Sequence, residues 1–326
     1  TSSNYPHKRL VRFFGTRPGA GFPKKSSGVL CQKPAVKYAW IDKNAVPGLS
    51  LSVMCRLLGV RRQGYYEYHK RGETQRQLRE RIRTQLIVDV FYESHRIYGA
   101  RRIAAELAKR GIRINRKQVR RVMIQEGLIP VTSRRRVNTT NSNHDLEVFS
   151  NLLKSGNNPS GINQVWVSDM TYIRTDEGWQ YLCTVLDLYS RRIVGFALSK
   201  RIDRHLAIAA FENAVENRRP KTGFIFHSDR GCQYASHDFR NAVAKAGGRQ
   251  SMSAAGNPYD NASAESFFKT LKVEWLERMR FKTRQEATKA VREYMLYYNR
   301  RRLHSSLGYQ SPVDFEMGIS ERPLAS

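Results

Sequence analysis

Between residues 165 and 198 the apolar side chains come in three short β-rich runs, "VWVSDMTYI" (165–173), "WQYLCTVLD" (179–187) and "RRIVGFAL" (191–198). Turns containing Glu177-Gly178 and Tyr189-Ser190 separate them, and connections this short predict an antiparallel meander. The period then lengthens. "DRHLAIAAFENAVEN" (203–217) carries the pattern of an amphipathic helix, and "GFIFHSD" (223–229) reads as a buried strand. A helix near 236–246, a short strand at "RQSMS" and two long helices from about 260 and 284 complete the chain. Three antiparallel strands followed by alternating helices and strands describe an α/β fold, a mixed five-stranded sheet flanked by helices.

Ahead of the strands the pattern is helical. Residues 1–36 show Gly, Pro, Ser and Lys without a period and read as a largely disordered leader, of native or start-site origin. In "LSVMCRLLGVRRQGYYEYHKR", Val53, Leu57 and Leu58 fall at helical spacing and Gly59 turns the chain, the outline of a helix-turn-helix. A longer helix is expected over about 74–94 on an apolar stripe of Leu78, Ile82, Leu86 and Val90. In the next pair Ile103, Leu107 and Ala108 face inward, Gly111 breaks the helix and Asn115 caps its successor. That successor carries Arg116, Lys117, Arg120 and Arg121 opposite Val119, Val122 and Met123. The residues 131–160 are polar and aperiodic and read as a basic linker, with Arg134, Arg135 and Arg136 free to touch a phosphate backbone. This divides the chain into a leader (1–36), an all-α helix-turn-helix region (37–130), the linker (131–160), an α/β core (161–316) and a tail (317–326).

Charge changes the picture. A net +29 with a pI near 10.4 points to a polyanionic partner, because Lys and Arg that neutralise phosphates release condensed counterions. The excess is uneven: residues 1–160 hold 32 Lys+Arg against 10 Asp+Glu, and residues 161–326 hold 25 against 18. The front half is therefore expected to grip DNA, and the basic face of the 116–121 helix is read as DNA-contacting rather than merely solvated. Cys31, Cys55, Cys183 and Cys232 form no C-x-x-C pair, which argues against a zinc ribbon or disulfide framework. No apolar run reaches membrane-spanning length and no signal-peptide core is present, so a cytoplasmic protein with no membrane partner is expected.

Three acids stand out. Asp169 lies within the first strand, Asp229 follows the fourth, and Glu265, with 35 residues between it and Asp229, lies near the start of a helix. An ionised carboxylate inside a strand costs on the order of several kcal/mol unless it is paired or metal-bound. A salt bridge to arginine would satisfy Asp169, and an acid at a strand end needs no explanation. On a helical wheel Glu265, Lys269, Lys272 and Leu276 share one stripe, and Ala264, Phe267, Phe268, Leu271 and Trp275 share another. An i, i+4 surface pair between Glu265 and Lys269 would also serve. If the three converge, however, they can hold two hard divalent cations about 3.5–4 Å apart, the arrangement that serves in-line displacement at phosphorus. In so basic a chain the electrophile would be a DNA phosphodiester.

The motifs "VWVSDMTYI", "HSDRGCQY", "NPYDNASAESFFKTLK" and "YNRRRLHSSLGYQSPVDF" resemble the catalytic core of the DDE transposase and retroviral integrase superfamily. More narrowly, with "CRLLGVRRQGYY" and "YGARRIAAELAKRG" in front, residues 37–316 resemble the downstream-frame product of the bacterial insertion-sequence-three transposases. The resemblance implies a ribonuclease-H-like core, and Asp169, Asp229 and Glu265 as a metal-binding catalytic triad. It implies two Mg²⁺ per site, with Mn²⁺ as a substitute, and Lys269 and Lys272 against the transposon end. The implied activity is nicking at an insertion sequence's 3′ ends and joining the freed hydroxyl to another phosphodiester. The implied partners are double-stranded DNA at element ends and target, further copies of the chain on DNA, and an upstream-frame protein, fused or separate. The implied setting is the bacterial nucleoid. Two departures stand: nothing matches the His/Cys zinc module of retroviral integrases, and residues 1–50 show no sustained heptad. Two other readings remain, a catalytically idle DNA-binding regulator of the element's ends and a structure-specific nuclease of the same fold.

Overall fold

A computed structural model describes residues 32–44, 49–70, 72–131, 149–153, 159–253 and 261–320. Most of the 1–36 leader and of the linker, including Arg134, Arg135 and Arg136, lies outside the described residues, as do 321–326 of the tail. The chain divides into two compact units, Thr1–Arg83 and Thr84–Ser326.

In the first unit α1 (Pro34–Lys43), α2 (Leu51–Leu57) and α3 (Arg62–Lys70) close around Tyr38, Ile41, Met54, Cys55 and Leu58. Proline in the first turn of α1 costs no hydrogen bond there, and the helix starts inside the segment read as leader. Gly59, with φ at +65°, makes the expected turn after α2. The inward face of α2 is Met54, Cys55 and Leu58, with Val53 and Leu57 only half-buried. The face is rotated because α1 and α3 both pack on α2, so no single expected stripe is covered.

The long helix α4 (Gln75–Glu93) buries Ile87, Val90 and Phe91. The expected stripe is corrected here: Ile82 is 51% exposed, and Leu78 and Leu86 are only partly covered. Only the last turns of α4 enter the core of the second unit, where Ile103 and Leu107 of α5 (Ala100–Lys109) and Val119, Val122 and Met123 of α6 (Arg116–Gln125) receive them. Ala108 is exposed, contrary to expectation, since it lies one step round the helix from the Ile103–Leu107 line. Asn115 caps α6 as expected, its Oδ1 accepting from the Lys117 amide at 2.8 Å.

Five strands form one mixed sheet: β1 (Val165–Thr175), β2 (Gly178–Asp187), β3 (Ile193–Ser199), β4 (Ile225–Ser228) and β5 (Arg249–Met252), in the order β3-β2-β1-β4-β5. The first three are antiparallel, and β4 and β5 add in parallel. Strand alternation sends side chains to two different cores. Trp166 points to one face, where Val185, Phe226, Phe211 of α7 (Arg204–Arg218) and Phe239 of α9 (His237–Lys245) pack, beside the short α8 (Cys232–Ala235). Val167 and Ile173 point to the other, under α10 (Ala262–Glu274) and α11 (Arg284–Arg300). A last helix, α12 (Pro312–Ser320), follows.

On α10 the stripe Ala264, Phe267, Phe268 and Leu271 is buried as expected. The helix stops at Glu274, so Trp275 is its cap, and Leu276 is buried at the start of a 3₁₀ turn instead of continuing the Glu265 stripe. Among the described residues no helix is long and apolar enough to cross a membrane.

A tight layer contact falls at Gly195 of β3. A Cβ there would lie 2.5 Å from the Ala210 carbonyl oxygen and 2.6 Å from the Ala214 Cβ of α7. A backbone oxygen cannot step aside. Gly195→Val is therefore predicted to cost about 1–3 kcal/mol by overpacking. Urea denaturation monitored by circular dichroism measures this, and an unchanged midpoint would show that α7 does not press on β3.

Candidate active site

Asp169 sits in mid-β1 opposite Thr184 of β2, on the same alternating face as Val167, and so looks toward the α10 side of the sheet. It is half-buried, and its Oδ1 accepts from the Met170 amide at 2.7 Å. The parallel register pairs Val167 with His227, and continuing it two residues sets Asp229 level with Asp169. Asp229 stands just past β4, its Oδ1 accepting from the Gly231 amide at 3.0 Å in a turn of the kind aspartate favours. Arg230 extends the other way, Nε donating to the Ser253 carbonyl at 2.8 Å.

Glu265 lies in the first turn of α10, exposed, where the positive end of the helix dipole favours an acid. The start of this helix is tied to β1. Buried Asn261 donates from Nδ2 to the Ser168 carbonyl at 3.1 Å, next to Asp169, rather than capping its own helix. Gly256, Asn257, Pro258, Tyr259 and Asp260, which lead into α10, lie outside the described residues.

The electrostatics join these side chains. Burial, and then the Asp229 carboxylate, push the Asp169 carboxyl up to about 7. The Met170 amide opposes this, Glu265 adds to it, and Lys272 counters it. Three acids and one lysine thus share a field. Lys272 is half-buried, its Nζ 4.9 Å from the centre of the Tyr172 ring on β1. Lys269 is exposed on the same helix.

Three carboxylates offer only hard oxygen donors, which suits a divalent cation such as Mg²⁺. Among the described residues, no group of three or more His, Cys, Asp or Glu side chains is arranged to hold a metal ion. His227 is not part of the cluster. It is fully buried, with ring nitrogens 2.9 Å from Ser251 Oγ and 3.2 Å from Ser253 Oγ, and bridges β4 to β5 and its end. Arg116, Lys117, Arg120 and Arg121 stand apart from the acids on the exposed face of α6, opposite its buried Val119, Val122 and Met123.

One group was not recognised from sequence. Glu274, at the end of α10, accepts from Arg302 Nε at 2.7 Å and from Arg302 Nη2 at 2.6 Å, with the Tyr294 hydroxyl at 3.1 Å. The run of arginines in "YNRRRLH" held the signal, but which arginine turns inward depends on where α11 ends.

Known proteins match in the same places. The Integrase core domain is matched over residues 159–258, a second model of that description over 246–312, and an HTH-like domain over 77–136. A 31 kDa protein of insertion element IS600 from Shigella sonnei is 42% identical over 264 residues, covering 80% of this chain and 97% of that protein. Transposase InsF for insertion sequence IS3A from Escherichia coli (strain K12) is 39% identical over 285 residues, covering 86% of this chain and 98% of InsF. The chain belongs to the IS3-type transposase family. The transposase for insertion sequence element IS904 of Lactococcus lactis is likewise 41% identical over 249 residues, 76% of this chain and 98% of that one. Among solved structures, a chain of the simian T-cell lymphotropic virus intasome overlaps 74% of this transposase-family chain and 77% of its own length, at TM-score 0.45 and 15% identity.

The raised Asp169 pKa sets a sign. Folded Asp169 takes up its proton near pH 7 and the unfolded residue near 3.8. Between those values the folded state holds the extra proton, so stability falls as pH rises, and the full cost is present above about pH 7. In metal-free buffer Asp169→Asn, which keeps an acceptor for the Met170 amide, is predicted to melt above the parent at pH 8. That gain should fall to little by about pH 4, where folded Asp169 is protonated and the unfolded residue only partly ionised. Thermal melts at the two pH values check this; equal midpoints at pH 8 would contradict it.

Proposed function

We propose that this IS3-family transposase nicks the ends of its insertion sequence and joins each freed 3′-hydroxyl to another DNA phosphodiester, with Asp169, Asp229 and Glu265 as its catalytic and metal-holding residues. The observation that carries this reading is the field of Asp229, Glu265 and Lys272 on Asp169 in mid-β1, beside the strand register that sets Asp229 level with Asp169, within an integrase core. Two Mg²⁺ ions held there, or Mn²⁺ in their place, would activate the attacking water or hydroxyl and stabilise the leaving oxygen.

The chain's own residues do the rest. Lys269 and Lys272, along α10 from Glu265, bind backbone phosphates and align the strand with the acids; neither can be a metal ligand. Asp169 comes from within a rigid sheet and Asp229 from the residue directly after one of its strands, which holds both better than a long loop would. Arg116, Lys117, Arg120 and Arg121 on α6 hold duplex DNA away from the chemistry. No covalent bond forms between protein and DNA. The element's ends and the target are double-stranded DNA, and copies of the chain assemble on it, with an upstream-frame protein fused or bound. The setting is the bacterial cytoplasm, on the nucleoid. The domain division is a helix-turn-helix region at 37–130 and a catalytic core at 161–316, with the 1–36 leader, the 131–160 linker and the 317–326 tail around them.

A catalytically idle regulator is disfavoured by Asp169. Holding a partly buried carboxyl beside two more acids destabilises the folded chain, and simple occupancy of DNA has no use for that.

With labelled element-end DNA and Mg²⁺, the full chain should nick at the 3′ ends and form joined products. Asp169→Asn and Asp229→Asn should lose both by orders of magnitude while still retarding DNA in gels; residual nicking in either would refute the triad. Separately, changing Arg116, Arg120 and Arg121 together to Ala should weaken DNA binding and flatten its salt dependence, by about 0.9 in log–log slope for each phosphate no longer neutralised. An unchanged slope in fluorescence-anisotropy titrations would remove α6 from the interface.

A further inference from the structure

A pocket of about 380 Å³ opens on the flank of α10, lined by Arg102 of α5, Arg191, Arg302 and the hydroxyl residues Ser263, Ser266 and Thr270. The three hydroxyl residues lie roughly 100–160° around α10 from Glu265, so the pocket opens on a different face of that helix from the one that carries the acid.

The pocket's charges do not cancel. Glu274 is shared: it takes both donors of Arg302 and stands 3.8 Å from Arg102. Arg191, in the β2–β3 turn, donates to the neutral Ser263 hydroxyl. No acidic residue is among the described residues lining the pocket. Three guanidinium groups thus face one carboxylate. Their combined field is visible on His304, also in the lining, which burial and then Arg302, Arg102 and Arg191 hold down at about 3. Burial and the like charge of Arg302 also lower Arg102 below its ordinary value. His304 is therefore neutral at pH 7 and adds a polar edge but no charge. What remains is a partly enclosed, hydroxyl-lined cavity with a surplus of fixed guanidinium charge, a setting that matches the shape and charge of a phosphate group.

We propose that this pocket binds one backbone phosphate of the DNA on which the chain acts. The proposal rests on the transposase reading for its source of phosphate, since free phosphate would satisfy the same chemistry. It also gives a role to two sequence motifs the triad leaves unused. "YGARRI" supplies Arg102 and "YNRRRLH" supplies Arg302 and His304, and they meet because the Tyr98 hydroxyl donates to the Arg301 carbonyl at 3.0 Å and accepts from the Leu303 amide at 2.9 Å.

The test uses the full chain and two single variants on different elements, Arg191→Gln and Arg102→Gln, so that misfolding of one leaves the other decisive. Arg302 is left intact because its pair with Glu274 is buried. DNA affinity is measured against salt, and thermal melts are run with and without inorganic phosphate, each beside a nicking assay of the parent. A log–log salt slope reduced by about 0.9 in the variants supports binding of a DNA phosphate. Stabilisation of the parent alone by inorganic phosphate, with equal salt slopes, would mean that the pocket takes free phosphate and would overturn the assignment to DNA. Equal slopes with no phosphate effect would overturn the site altogether. A parent that shows the slope difference but never nicks DNA would defeat the transposase reading and leave the pocket standing.

Discussion

Parallel pairing of β4 with β1 holds Val167 level with His227, and the chain therefore leaves β4 at Asp229 beside Asp169. Everything in the candidate site depends on that register. A shift of one residue would send Asp169's neighbour to the opposite face of the sheet. The third acid is carried on α10, which lays Ala264, Phe267, Phe268 and Leu271 on the sheet while Asn261 fastens its start to the Ser168 carbonyl. The result is like charges gathered where water is partly excluded. The protein tolerates them through the Met170 amide and the nearby Lys272, and the Asp169 carboxyl answers with a raised pKa.

A second constraint acts at the other end of the same helix. The buried Glu274–Arg302 pair joins the end of α10 to the segment after α11, and Tyr98, just ahead of α5, bonds to the backbone on both sides of Arg302. Buried ion pairs contribute little net stability, but removing one partner costs about 3–5 kcal/mol. Such a pair therefore specifies a geometry more than it strengthens a fold. Here it keeps Arg302 and Arg102 at the wall of a pocket on the flank of α10. Glu265 and the pocket's Ser263, Ser266 and Thr270 thus lie on different faces of one helix, and the guanidinium groups reach the pocket from three other segments of the chain.

Much of this was readable in advance. The three β runs, their short turns and the order of helices and strands after them predicted the mixed sheet, because period-2 and period-3.6 patterns are local properties. The burial of Ala264, Phe267, Phe268 and Leu271 and the Asn115 cap were readable for the same reason. Where the pattern misled, a neighbour decided. Leu78 and Ile82 lie on a proper apolar stripe of α4, yet only Ile87, Val90 and Phe91 find a core to enter. Leu276 left the Glu265 stripe because α10 ended at Glu274 and the chain tightened into a 3₁₀ turn.

The sequence by itself determined the family, through motifs whose spacing few folds share, and it determined which residues carry charge and which strand or helix each occupies. It marked Asp169 because an acid within a buried strand is costly, and Asp229 and Glu265 through the motifs they share with the family. Tertiary structure alone decided that Asp229 acts on Asp169 more strongly than Glu265 does, and that His227 faces serines instead of the acids. It also decided that, of three consecutive arginines, Arg302 turns inward to Glu274. The physical reason is the same in each case. Local pattern sets which way a side chain points along its own element, but a carboxylate's pKa and an arginine's partner depend on distances between elements far apart in the chain, and only the packed sheet and helices set those.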